Sequence, residues 1–180
     1  RVTVAPGVPV GARASKAYAM RCVLSMEMIE RFGYYSIQST ALFFLMNALG
    51  FDVKAATLLW STFSSITFAA PSVGGWIGDH LLGTKRTALI GCFMLACGYF
   101  GLALPHFMPG QVYWSFALIA TADGFFKPNI ACLVRHIYAE EAEGLEIAFT
   151  LYYMGISVGS TVGLLLTPLI SKYFNINGAF

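Results

Sequence analysis

The chain has 180 residues, of which 57% are hydrophobic and 11% charged, and its formal net charge is +2. A soluble domain carries about 25% charged residues, so too few charges are available here to cover a large soluble core. The small net charge and the scattered basic residues argue against nucleic-acid binding, and the composition reads as an all-α integral membrane protein.

Taken in chain order, residues 1–21 hold Arg1, Arg13, Lys16 and Arg21 with Pro6 and Pro9. They read as a flexible, basic, cytoplasmic lead-in. They are not a signal peptide, because the apolar run that follows is long and carries Glu27, Glu30 and Arg31. Five runs then hold the roughly 20 helical residues needed to cross a bilayer: residues 22–49, 55–77, 86–104, 112–137 and 148–170. None alternates as a barrel strand would, and in lipid a helix satisfies its own backbone hydrogen bonds. Residues 22–170 therefore read as a five-helix transmembrane bundle.

The breaks between runs have local causes. Gly50, Asp52 and Lys54 make a short polar turn, and residues 79–86 a tight charged loop around Gly83. Pro105, Pro109 and Gly110 close the third run. Residues 135–146 read as a longer connection holding Glu140, Glu141, Glu143 and Glu146. Residues 171–180 read as an external turn leading to a sixth helix, so the chain is expected to be a fragment. Pro71, Pro128 and Pro168 fall in or near spans, where neighbouring helices can re-satisfy a freed carbonyl. Lys and Arg are concentrated in the N-terminal tail and in the second loop, at Lys85 and Arg86, which places both in the cytoplasm. Gly155, Gly159 and Gly163 recur at every fourth position, a stripe suited to close helix packing. Cys22, Cys92, Cys97 and Cys132 lack zinc-ligand spacing and read as small buried hydrophobes. No metal or cofactor site, no nucleotide loop and no catalytic triad is expected.

The chemistry lies in charges placed where lipid opposes them. Helical periodicity puts Glu27, Glu30, Arg31, Tyr34 and Gln38 on one side of the first run, with an apolar face opposite. This polar face must turn toward protein or a wet cavity. Arg31 can fork across the carboxylates of Glu27 and Glu30, and protonation of a glutamate would force the network to rearrange. In the fourth run Lys127 lies mid-span beside Pro128 and Asn129. Its ammonium needs a carboxylate or water; Glu27, Glu30 and Asp123 at i−4 are the candidates. Tyr34, Tyr35, Trp60 and Tyr152 are aromatic candidates for a pocket wall. The loop containing Gly75, Asp79, Gly83 and Arg86 reads either as a tight hairpin or as a gating latch, with Asp79 placed to cap a neighbouring helix.

These patches together resemble the proton-dependent oligopeptide transporter family of the major facilitator superfamily. Residues 27–35, EMIERFGYY, are similar to its first-helix ExxERFxYY motif, and residues 126–130, FKPNI, to its fourth-helix FKPNxS motif. Residues 74–86 resemble the GGxxAD…G loop, and residues 149–160 the fifth-helix FYxxIN-GS segment. The resemblance implies the N-terminal bundle of a proton-coupled peptide symporter that needs a C-terminal bundle, in a plasma membrane or bacterial inner membrane. It implies proton coupling by Glu27, Glu30 and Arg31, and a substrate site drawing on Tyr34, Tyr35, Gln38, Trp60, Lys127, Asn129 and Ser157. Several positions depart from the family pattern. Gln38 stands where an arginine is usual, Phe68 for a tyrosine, Ser157 for an asparagine, and Ala122 and Asp123 for a glycine and a threonine. These leave open another substrate, such as nitrate or an amino acid. A truncated membrane protein that does not transport is the remaining alternative.

Overall fold

The computed structural model describes residues 10–47, 49–104 and 110–174. Five α-helices follow one another: α1 (Val10–Asn47), α2 (Val53–Ile77), α3 (Thr84–Ala103), α4 (Gln111–Ile137) and α5 (Ala142–Phe174). A π-helical turn, Gly78–Leu82, prolongs α2, and the described residues contain no strand.

Several boundaries differ from the sequence reading; the loop expected at residues 79–86 is helical except at Gly83, because the π-turn continues α2 to Leu82 and α3 starts at Thr84. α1 starts at Val10, so residues 10–21 are helical and not a loose lead-in. This stretch is rich in Ala, Lys, Arg and Met, all strong helix formers, and no proline follows Pro9 within it. The long connection expected at residues 135–146 shrinks to residues 138–141, because α5 already begins at Ala142 with Glu143 in its first turn, where the helix dipole favours an acid. The other end of α5 reaches Phe174; the remainder of the expected external turn lies outside the described residues, as do Pro105 and Pro109. Lys16 of the extended α1 meets Glu141 at 2.8 Å, tying the start of α1 to the α4–α5 connection. The hydrogen bond to this neighbouring carboxylate raises the Lys16 pKa.

Among the described residues three helices are long and apolar enough to cross a membrane: Thr84–Ala103, Gln111–Ile137 and Ala142–Ile170. The other two fall short of that apolarity for different reasons. α1 carries charges, and it turns Glu27, Glu30 and Arg31 inward. α2 is rich in Ser and Thr, whose hydroxyls bond carbonyls of their own helix, as Thr62 does to Leu58 at 2.9 Å and Thr67 to Phe63 at 2.9 Å. Such back-bonding hides the polar hydrogen from lipid. Around the outside, large apolar residues such as Phe68, Phe93, Phe100, Trp114 and Leu165 are exposed, the pattern of a body whose solvent is hydrocarbon. Cys22 and Cys97 share this outer surface, and Cys92 and Cys132 are only partly covered. The expectation that the cysteines are buried in the core therefore fails for Cys22 and Cys97, which face outward, and holds only in part for Cys92, which packs against the core, and for Cys132.

α1 packs mainly on α5, while α2 and α3 pack on α4. Glycines allow each approach. A Cβ on Gly159 would lie 2.6 Å from Met28 O, and one on Gly163 2.7 Å from Phe32 O. Between α2 and α4 the backbones nearly touch, since a Cβ on Gly74 would stand 2.0 Å from Gly124 O. Pro128 has no N–H to bond that carbonyl within α4. Close approach through small residues is the usual means by which helices associate in membranes, where no hydrophobic force drives them together.

Candidate functional site

α1 and α4 meet across a buried group of charges. Arg31 forks onto Glu30, with Nε and Nη2 each 2.5 Å from a carboxylate oxygen. Arg31 Nε also lies 3.6 Å from Glu27 Oε1, one helical turn back. From α4, Asp123 Oδ1 comes to 3.5 Å from Arg31 Nη2, and its other oxygen accepts a hydrogen bond from Lys127 Nζ. Tyr34 stands between the two cations: Arg31 Cζ is 5.2 Å and Lys127 Nζ 4.8 Å from its ring centroid, within range of an attraction to the π face. Asp123 is completely buried, Glu27, Glu30 and Arg31 nearly so, and the Lys127 side chain is 24% exposed.

The helical spacing of Glu27, Glu30, Arg31 and Tyr34 thus does bring these four inward. Gln38, expected on the same face, is exposed. Further along α1 the buried positions are Ile37, Thr40 and Ala41, so the covered face has rotated away from Gln38. Lys127 bonds Asp123 and no glutamate; Glu30 is already occupied by Arg31, and the path from Lys127 to the glutamates runs through Asp123 and Arg31. From sequence Asp123 reads only as a local partner of Lys127. Its role as a bridge between helices has no signature in spacing along one chain segment.

An aromatic wall adjoins the charges. Phe63 of α2 stacks on Tyr34 at 6.2 Å, packs against Trp60 at 5.2 Å and meets Phe116 of α4 edge-on at 4.9 Å. Tyr35 sits edge-on to Tyr34 at 5.4 Å. Tyr152 of α5, buried, faces the Glu27 carboxylate. Tyr99 of α3 lies against Gly33 of α1, where a Cβ would meet its phenol carbon at 3.0 Å. Phe63, Phe116 and Tyr99 sit in apolar runs, where nothing distinguishes them from packing residues.

The remaining candidates lie away from this group. Asn129 is buried in the α2–α4 seam, donating to Gly74 O at 3.1 Å and Phe125 O at 2.8 Å, so its amide joins two helices and is not open to a ligand. Ser157 is exposed and its hydroxyl bonds Tyr153 O at 3.0 Å. In the loop, Gly75 borders Pro128, and Gly78 presses on Asn129. Gly83 adopts φ +80 before α3, a backbone region that glycine enters without strain. Asp79 and Arg86 are exposed. Asp79 does not cap α3, whose first residues receive no side-chain cap; the hydroxyl at that end belongs to Thr87, which donates to Gly83 O at 3.0 Å. Among the described residues no group of His, Cys, Asp and Glu is arranged to hold a metal ion.

The family model described as Major Facilitator Superfamily matches residues 23–180. The chain is 39% identical over 152 residues to dipeptide and tripeptide permease B of Yersinia enterocolitica, covering 84% of this chain and 31% of that protein. It is 36% identical over 162 residues to dipeptide and tripeptide permease A of Proteus mirabilis, covering 90% and 33%. The crystal structure of tetrameric PepTSo2 superposes with a TM-score of 0.81 at 41% identity, over 89% of this chain and 34% of that one. The chain belongs to the Major Facilitator Superfamily. Within it the similarity is to peptide transporters, and the chain spans about a third of the length of the curated relatives it matches.

Proposed function

We propose that this chain is the N-terminal bundle of a proton-coupled symporter for short peptides, with its N-terminus in the cytoplasm. The buried charge group carries the reading: carboxylates and cations from two helices, held together inside a body clad in apolar side chains. Charges in a membrane interior are costly and persist where a proton or solute passes. Glu27, Glu30 and Arg31 form the proton-coupling group, and a proton on a glutamate weakens its hold on Arg31. Lys127, the least buried charge, is the group available to a peptide carboxylate, beside Tyr34, Tyr35 and Trp60. The loop at residues 75–86 acts where two helices must move past each other during alternating access. The relatives named as dipeptide and tripeptide permeases support the substrate class.

A second reading, transport of a different small anion or zwitterion, is favoured by Gln38, Phe68 and Ser157, since the first two are exposed and Ser157 spends its hydroxyl on its own helix. Uptake of labelled dipeptides, with nitrate and single amino acids as competitors, separates the two. The coupling role is tested by Glu30→Gln in the full-length transporter reconstituted in vesicles. Gradient-driven uptake is lost while exchange of solute across the membrane continues. Unchanged pH-driven uptake removes Glu30 from the coupling role.

A further inference from the structure

Among the described residues three buried side-chain polar atoms have no hydrogen-bond partner: Glu27 Oε2, Asp123 Oδ1 and Tyr99 Oη. All three belong to one neighbourhood. Asp123 and Glu27 are members of the charge group, and Tyr99 packs on Gly33 within electrostatic range of Glu30 and Asp123. The charges themselves do not balance. Glu27, Glu30 and Asp123 supply three carboxylates, and Arg31 and Lys127 supply two cations. With every group ionised, one negative charge is left over in a place where Asp123 is fully buried. An uncompensated charge in such a place is costly, and binding a proton removes it.

We propose that Asp123 is a proton-binding site of this transporter, and that protonating it releases Lys127. The inference rests on the proton-coupled reading above and adds a carboxylate to it. A proton from the aqueous phase adds to Asp123 Oδ1, which has no hydrogen-bond partner and only a long ion-pair contact with Arg31 Nη2 at 3.5 Å, forming an O–H bond. The carboxylate charge disappears, the Lys127 ammonium keeps its own proton, and the attraction between them falls. Lys127 is then free to meet an anionic solute group.

The neighbours explain why Asp123 has this role. Both oxygens of Glu30 are taken by the Arg31 fork. Glu27 faces Arg31 on one side and Tyr152 of α5 on the other. Asp123 alone bonds Lys127, so it is the acid whose charge decides where that side chain rests. The groups facing it are Glu27, Glu30, Arg31 and Tyr34 from α1, Tyr99 from α3 and Lys127 on its own helix. α2 meets α4 through Phe63, Ala70, Gly74 and Gly75, none of which titrates.

The test counts protons on the purified full-length transporter. Infrared difference spectra follow the protonated-carboxyl band through a pH titration, and back-titration counts the protons taken up. Asp123→Asn lowers the count by about one proton per chain, because a coupled group titrates as a unit. Glu27→Gln and Glu30→Gln each leave two acids facing two cations and lower the count as well, but they keep the ionised Asp123–Lys127 pair, whereas Asp123→Asn frees Lys127 at every pH, read as binding of an anionic peptide that no longer depends on pH. A titration of Asp123→Asn identical to that of the unaltered protein overturns the proposal. Should that variant fail to fold, Lys127→Gln decides. Without the facing ammonium the carboxyl band changes in position or size, and a spectrum identical to that of the unaltered protein overturns the proposal equally. Absence of pH-driven uptake in the unaltered transporter would defeat the symport reading while leaving these counts to judge Asp123.

Discussion

Asn129 illustrates how a polar side chain inside a membrane bundle is satisfied. It donates to Gly74 O and Phe125 O, one bond between helices and one within its own. Replacing it with alanine removes the side-chain link between α2 and α4, while Gly74 O keeps the Gly78 N–H, and costs about 0.5–1.5 kcal/mol, read as a lowered unfolding temperature in detergent. Proximity to Lys127 in sequence makes Asn129 look like a ligand-binding residue, but the helical period carries a side chain two positions on to nearly the opposite face and sends it into the seam. The inward face of Glu27, Glu30, Arg31 and Tyr34 was legible because regular helical spacing alone determines which residues share a side. Asp123 and Tyr99 were not legible. Their importance comes from what α1 presents to them, and no feature of their own helices states it.

At the scale of elements, the glycine stripe on α5 carries a graded expectation. A Cβ on Gly159 would collide with the Met28 backbone oxygen at 2.6 Å, which cannot move without moving α1. A Cβ on Gly155 would meet the flexible Met28 side chain at 3.3 Å. Gly159→Ala therefore costs about 1–3 kcal/mol of stability, as overpacking does, whereas Gly155→Ala is nearly neutral. Equal effects in thermal unfolding would show that the α1–α5 contact is looser than this geometry requires. The number and order of helices were legible from long apolar runs broken by glycine, proline and charge. The start of α1 and the α4–α5 connection were not, because Lys, Arg and Glu mark a loop in a hydropathy pattern yet are good helix formers. The turn at residues 138–141 needs only a few residues once Glu143 and Glu146 are read as part of α5.

At the scale of the molecule, lipid takes the place of a second apolar layer, which is why the cysteines read as buried turn out to lie on the surface or partly covered. Cys97, exposed on the membrane-crossing α3, is expected to react with a lipid-soluble maleimide and to resist a charged, impermeant one. Rapid labelling by the impermeant reagent would place that face of α3 in water. The charge group at the centre of this body is one electrostatic unit with members on two helices, and the proposed function depends on that unity.

A double-mutant cycle on Arg31 and Asp123 in the purified full-length transporter tests that unit most directly. Arg31→Gln leaves three acids facing one cation, and adding Asp123→Asn cuts the excess from two negative charges to one. Strongly non-additive effects on the unfolding free energy are expected, with a coupling within the roughly 0.5–3 kcal/mol found for residues in contact. Additive effects would mean that the two residues act independently and that the buried charges do not form one unit.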